Sequence, residues 1–287
     1  MKVAKTIKEA QSAVAEARRA GRTIGLVPTM GAMHQGHFSL IERARGECGF
    51  VAVSIFVNPT QFGPNEDLGA YPRPVEADLA GCEARGADLV FVPSVEEMYP
   101  RESVTTVAVK RLTDTLCGRT RPWHFPGACT VVAKLFNIVL PDKAYFGAKD
   151  FQQAVIVKRM AGDLDFPVEV VVCPTVREAD GLAMSSRNAY LTPQERKQAT
   201  ALSGALRLAE RMIRQKRPPA KQVIEAVRRH IAADAPDGAI DYVQIVDPYE
   251  LRDVEKTDPP VLVALAVKFG KARLIDNALV DSGPARS

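Results

Sequence analysis

Between Ile7 and Val172 the chain alternates strand-like and helix-like stretches, a pattern that few architectures accommodate. Short apolar runs read as strands at Thr23 to Val27, Phe50 to Val57, Asp88 to Val92, Lys143 to Phe146 and Val168 to Val172. Helical periodicity fills Ile7 to Ala20, His37 to Glu47, Pro74 to Gly86, Gly127 to Leu140 and Asp150 to Gly162. A strand, a helix and a further strand make a βαβ unit, and successive units build a parallel sheet with a helix layer on each face. The pattern therefore predicts an α/β fold, a Rossmann-like parallel sheet with helices on both faces. Val104 to Val109 reads as an additional edge strand.

After Leu191 the texture changes. Thr192-Pro193-Gln194-Glu195 has the N-cap, first-turn proline and early acid that open a helix, predicted to run to Gln215. Arg217-Pro218-Pro219 ends it, Lys221 to Ala233 is a second helix, and Ile240 to Val246, Val261 to Val267 and Arg273 to Asn277 read as strands. Helices followed by consecutive strands predict a smaller C-terminal α+β domain with an antiparallel sheet. The domains expected are 1–180 and 181–287, and no internal repeat is present.

Composition removes several function classes. In 287 residues, 46% hydrophobic and 25% charged side chains match a globular protein and not a disordered one. The net charge of +4 suits an anionic substrate but falls short of a dedicated polyanion binder. Basic residues between Arg207 and His230 alternate with apolar helix positions and include no aromatic, so they read as a solvated face and no nucleic-acid partner is expected. The longest apolar run, Val261 to Val267, is far below the ~18 residues of a membrane helix, so no membrane partner is expected either. The N-terminal segment is charged and lacks the apolar centre of a signal peptide. Cys48, Cys82, Cys117, Cys129 and Cys173 are scattered without a CxxC pair, which predicts reduced thiols and a cytoplasmic protein.

The most informative stretch is Gly25 to Leu40, GLVPTMGAMHQGHFSL, where a strand enters a glycine-bearing turn and a helix follows. Such a turn offers backbone N–H groups and a helix N-terminus to phosphate. Gly31 and Gly36 have P-loop spacing, but His37-Phe38 stands where a P-loop has Lys-Ser/Thr, and no GxGxxG occurs. His34 and His37 remain, two imidazoles at the mouth of a helix. They can hold the oxygens of a phosphorus centre under attack, or cap the turn, or form a metal pair lacking a third ligand.

Three further segments have local readings. Asn58-Pro59-Thr60-Gln61 lies at the C-terminal end of a strand, where open α/β sheets place ligands; Gln61 can donate and accept hydrogen bonds to a small hydroxy acid, or the segment is a plain Asn-Pro turn. In Gly147-Ala148-Lys149-Asp150, Lys149 can meet phosphates and Asp150 can cap a helix or bond a ribose hydroxyl, with Gln153 one turn on along the same face. Met184-Ser185-Ser186-Arg187 offers two hydroxyls and a guanidinium, a clamp for phosphate oxygens or a polar turn.

PTMGAMHQGHFSLI resembles the HxGH segment of the nucleotidylyltransferase superfamily in the form of the pantoate–β-alanine ligase family, PTMGALHxGHLSL. Four further stretches match that family in order: Phe56 to Phe62, Gly147 to Gln153, Val176-Arg177 with Asp180 to Ala183, and Met184 to Asn188. Together they span residues 25 to 191. The resemblance implies ATP-dependent condensation of pantoate with β-alanine through a pantoyl adenylate. It assigns catalysis to His34, His37, Lys149 and Arg187, with His37 the proton donor. Binding of ATP falls to Met30, Gly31, Ala32, Met33, His34, Gln35, Gly36, His37, Gly147, Ala148, Lys149, Asp150, Val176, Met184, Ser185, Ser186 and Arg187. Pantoate falls to Gln61 and Gln153, and β-alanine to Gln61. Mg²⁺ is expected with the ATP phosphates, its protein ligands unknown, and a homodimer is expected, with Phe50 to Val57 as an apolar strand edge for the contact.

Two other readings share parts of these features. A nucleotidyltransferase would release an adenylylated small molecule and join no amine. An RNA-binding relative of class I synthetases would have lost catalysis, against which intact His34, His37, Lys149 and Arg187 argue. One stretch departs from the family: Arg121-Pro122-Trp123-His124-Phe125 stands where RPGHF is usual. If that glycine needs a left-handed backbone, Trp123 forces a different geometry on Arg121 and His124.

Overall fold

The computed structural model describes residues 1–64, 66–100 and 103–282, so the end of the predicted C-terminal domain, residues 283–287, lies outside the described residues. The chain divides into two compact units. The first comprises Met1–Lys110, Arg121–Ala148 and Ile156–Pro174; the second comprises Arg111–Thr120, Lys149–Val155 and Thr175–Ser287.

The first unit is built on six strands: β1 (Lys2–Ala4), β2 (Ile24–Thr29), β3 (Phe50–Ile55), β4 (Leu89–Phe91), β5 (Lys143–Gly147) and β6 (Glu169–Cys173). They pair in the order β1-β4-β3-β2-β5-β6, every neighbour parallel. β3 is buried along its whole length, as a central strand covered on both faces must be. Val51, Val53 and Ile55 face Leu40, Ile41 and Ala44 of the helix Gln35–Glu47. The opposite layer is formed by the helices Ile7–Arg19 and His124–Val139, which pack on each other and on β2. The helix Ile7–Arg19 starts where a capping box dictates: the Glu9 N–H reaches the Thr6 hydroxyl at 3.2 Å and the Thr6 N–H reaches the Glu9 carboxylate at 3.0 Å.

The order places a topological switch point at β2 and β5. From β2 the chain winds through β3 to β4 on one side, and β5 and β6 lie on the other. In open α/β sheets the carboxyl ends of the strands at such a point hold ligands, and here they lead into the His34 turn and into Gly147.

The second unit carries the antiparallel sheet β7 (Ala239–Val246), β8 (Val261–Phe269) and β9 (Ala272–Val280), in that order. Leu202, Leu206 and Ile213 of the helix Ala201–Lys216, and Val223, Val227 and Ile231 of the helix Ala220–Asp234, share a core with Val243, Val263, Leu265 and Phe269. The predicted cap at Thr192 is present with Glu195 as its reciprocal partner.

Three expectations are corrected. Val104 to Val109 forms no strand; Val104 is exposed, and the Val107 N–H goes to the Thr130 hydroxyl instead of a sheet partner. The predicted helix from Thr192 to Gln215 is two helices, Pro193–Ala199 and Ala201–Lys216. At the junction the Thr200 hydroxyl bonds back to the Lys197 carbonyl at 2.8 Å, an alternative to the helical ladder that threonine offers. Phe50 to Val57 is no exposed edge, because β3 lies between β4 and β2.

Candidate active site

In the first unit β2 delivers the chain into a turn that reverses at Gly31 (φ +81°) and Ala32 (φ +48°). Glycine at position 31 relieves two constraints: the left-handed backbone, and a Cβ that would stand 2.9 Å from an Asp78 carboxylate oxygen. Asp78 comes from the helix Val75–Ala84 and is 3% exposed. Its two oxygens accept the Ala32 and Met33 N–H groups, each at 2.8 Å. Burial pushes its carboxyl above the usual range, and the two N–H bonds only partly offset this. The turn is thus pinned by a buried acid whose carboxylate accepts two backbone N–H groups.

The turn leads directly into the helix Gln35–Glu47. His34 is its N-cap, with Nδ1 accepting the Gly36 N–H at 3.1 Å; His37 Nδ1 accepts the His34 N–H at 3.4 Å. A backbone N–H can only donate, so each Nδ1 is an acceptor and each neutral ring carries its proton on Nε2. The ring centroids are 4.2 Å apart. No acidic residue occupies the first turn of this helix. A helix N-terminus without acids and with two imidazole Nε2–H donors suits an anion. The capping reading from the sequence is present in the structure, and because it uses Nδ1 it is compatible with a proton on each Nε2.

Gln61 stands in the same unit, at the end of the short 3₁₀ turn Pro59–Gln61 beyond β3. Its side-chain orientation follows from its neighbours. The Asn58 Oδ1 accepts the Thr60 N–H at 3.4 Å and the Thr60 and Tyr99 hydroxyls at 2.9 Å; the Asn58 Nδ2 donates to the Gly127 carbonyl at 3.1 Å. Fixed in that sense, Asn58 donates to the Gln61 Oε1 at 3.2 Å, which turns the Gln61 Nε2 toward the Met30 thioether at 2.9 Å. A thioether is a weak acceptor, so a buried amide donor faces the same turn that carries His34. Gly127 makes the approach of the helix His124–Val139 possible, because a Cβ there would collide with the Thr60 carbonyl.

The Trp123 segment resolves without a left-handed residue. Trp123 has φ −78° and ψ −24° and precedes the helix His124–Val139. The Gln61 carbonyl lies 3.1 Å from His124 Nδ1 and accepts from Arg121 Nη2 at 3.3 Å, so both side chains support Gln61. Arg121 in turn grips Glu66 through Nε at 2.5 Å and Nη2 at 2.6 Å. Burial pushes the Glu66 carboxyl up, but Arg121 and the Gly63 N–H outweigh it and hold it down at about 2. A carboxyl lowered in the folded state adds stability above its unfolded value near 4.5 and loses it as pH falls toward 2. Glu66→Gln is therefore expected to lower the denaturation midpoint at neutral pH and to flatten its fall between those values. A mutant curve parallel to wild type would refute that account.

In the second unit the polypeptide continues from Gly147, the last residue of the first unit's β5, through Ala148 into Lys149 and Asp150, whose charged groups lie 3.7 Å apart. Of the adjacent glutamines, Gln152 is buried and committed to structure: it accepts the Cys117 N–H and donates to the Leu112 and Thr115 carbonyls. Gln153 is only half-buried. Val176 opens a hairpin in which Arg177 bridges Ala183 and the Met184 N–H returns to the Val176 carbonyl at 3.0 Å. Ser185 then caps the 3₁₀ turn Ser186–Tyr190 by accepting the Arg187 N–H at 3.3 Å. Within the first unit the structure thus brings Met30 to His37 together with Gln61; within the second it carries Lys149, Asp150, Gln153, Val176 and Met184 to Arg187. Asp78, Asn58 and Tyr99 are the supporting residues that sequence reading did not assign.

The family model described as pantoate-beta-alanine ligase matches residues 2–279. The pantothenate synthetase of Acetivibrio thermocellus is 50% identical over 281 residues, covering 98% of this chain and all of that protein. The crystal structure of pantothenate synthetase from Thermus thermophilus superposes with a TM-score of 0.93 at 45% identity, over 98% of this chain and 100% of the other. The pantoate-beta-alanine ligase of Francisella tularensis, crystallised with β-γ ATP and β-alanine, has a TM-score of 0.80 at 33% identity, over 99% and 100% of the two chains.

Proposed function

Since the chain belongs to the pantoate–β-alanine ligase family, we infer that it condenses pantoate with β-alanine at the expense of ATP. The pantoate carboxylate attacks the α-phosphorus, pyrophosphate leaves, and pantoyl adenylate forms. The β-alanine amine then attacks the acyl carbon, loses a proton and expels AMP. No protein nucleophile is required; rate comes from positioning and from stabilising charge. The observation that carries the assignment is the pair of Nε2–H donors on His34 and His37 at an acid-free helix N-terminus.

In this reading those donors meet the α-phosphoryl oxygens, with His37 as proton donor, and the backbone of Met30 to Gly36 lies along the nucleotide. Lys149, Ser185, Ser186 and Arg187 hold the leaving pyrophosphate, and Gly147, Ala148, Asp150, Val176 and Met184 complete the nucleotide contacts. Gln61 and Gln153 hold pantoate, and Gln61 later meets β-alanine. ATP enters as its magnesium complex, the ion carried mainly by phosphates and water. A cytoplasmic homodimer completes the proposal. Five free, buried cysteines support the reduced compartment, and the dimer rests on family likeness.

The Francisella relative's complex with β-alanine favours amine ligation over release of a free adenylate. The test is pyrophosphate and AMP release from ATP and pantoate, with and without β-alanine. Pantoate-dependent pyrophosphate, with AMP release accelerated by β-alanine, is expected. Absence of pantoate-dependent pyrophosphate would sink the ligase reading, and AMP release indifferent to amine would replace it with adenylyl transfer.

A further inference from the structure

Two adjacent residues of β9 hold Lys149 and the hairpin that leads into Ser185–Arg187, the residues to which the proposed function gives the leaving pyrophosphate. Asp276 is 3% exposed and receives the Arg177 guanidinium through two bonds of 2.7 and 2.9 Å. The same guanidinium donates to the Gly181 carbonyl at 3.1 Å, so it ties the arms of the Val176–Met184 hairpin to its tip. That hairpin leads straight into Ser185, Ser186 and Arg187. Asn277, the next residue along β9, donates its Nδ2 to the Lys149 carbonyl at 2.9 Å. The Asn277 N–H also bonds the Asp276 carboxylate, at 2.8 Å.

Both anchors sit in a continuous antiparallel ladder, Asp276 opposite Leu265 and Asn277 opposite Ala264. Consecutive strand residues point to opposite faces, so one dipeptide grips one segment from each face of a strand that is itself fixed at every rung. Secluding an Arg–Asp pair from water is costly and is weak evidence of stabilisation for its own sake; what the pair does supply is a fixed position for the hairpin.

We propose that Asp276 and Asn277 are positioning residues that hold the Lys149 segment and the Ser185–Arg187 segment in one register, preorganised for the pyrophosphate leaving group. The inference rests on the phosphate roles given above to Lys149, Ser185, Ser186 and Arg187. Groups already in place spend no binding energy on ordering, so loosening either anchor weakens the hold on phosphate and spares the other substrates.

The experiment uses the full-length protein with Asn277→Ala, the isosteric Asn277→Asp, and Asp276→Asn. Michaelis constants for ATP, pantoate and β-alanine are measured together with the inhibition constant of inorganic pyrophosphate and the melting temperature. Each Asn277 variant is expected to raise the ATP and pyrophosphate constants in parallel by about three- to tenfold, and Asp276→Asn by about tenfold or more. The pantoate and β-alanine constants should stay within about twofold. Unchanged ATP and pyrophosphate constants in folded variants would overturn the proposal, and so would an equal rise in every constant. If Asp276→Asn does not fold, the Asn277 pair decides alone. A wild type without pantoate-dependent turnover would remove the ligase reading instead, while calorimetric titration with pyrophosphate would still read the positioning effect.

Discussion

His37→Ala is expected to cut pantoate-dependent pyrophosphate release by about 10²- to 10³-fold, equivalent to roughly 2.7–4 kcal/mol of transition-state stabilisation. The loss should fall on kcat far more than on the KM for ATP, because charge on the α-phosphoryl oxygens grows only as the carboxylate attacks. Stability should fall by about 1 kcal/mol, since His37 Nδ1 also accepts the His34 N–H and substitution removes half of a capping box. His37→Gln restores an N–H donor on a flexible stem and should recover part of the rate. Steady-state pyrophosphate release and thermal unfolding on both variants separate the two contributions. Turnover unchanged in His37→Ala would end the catalytic assignment, and a loss explained by unfolding would reduce His37 to a cap.

The difference between what could be read and what could not lies in where the partner of each residue sits. The βαβ series was legible because each strand and helix carries its own period, and so was the cap at Thr192, which acts within three residues. The His34 turn was visible because strand, glycine and helix are contiguous. Asp78 was not, since its bonds run to Ala32 and Met33, more than forty residues back, through sheet order that the local pattern does not specify. A faint signal existed: Asp78 lies one turn before Cys82 on the buried stripe of its helix. Asp276 is the same case in a strand, sharing the buried alternation of Ala272 and Leu274. An acid in an apolar register has a fixed donor waiting for it, and sequence alone does not say which. Val104 to Val109 failed in the opposite direction, with β-branched composition but, among the described residues, no strand pairing.

Asp78→Ala is expected to destabilise the protein by about 2–4 kcal/mol and to lower kcat by about 10²-fold although Asp78 is given no contact with substrate. Substitution removes the carboxylate that accepts the Ala32 and Met33 N–H groups, so the turn holding His34 loses its geometry. Asp78→Asn keeps the shape and one acceptor but sets an amide NH₂ against the second N–H, and should lie between alanine and wild type in rate. The pH dependence tests the electrostatic half of the argument. The Asp78 carboxyl is raised above its usual 3.8 by burial, so the folded protein binds the proton more tightly than the unfolded chain does. Ionisation of Asp78 therefore costs stability as pH rises from near 3.8 through its raised folded value, and acidification through that window returns it. Asp78→Asn should lack this component when urea midpoints are compared across acidic pH, the opposite of the effect expected from Glu66. A D78N midpoint that tracks wild type at every pH, with kcat intact, would show that the turn holds itself.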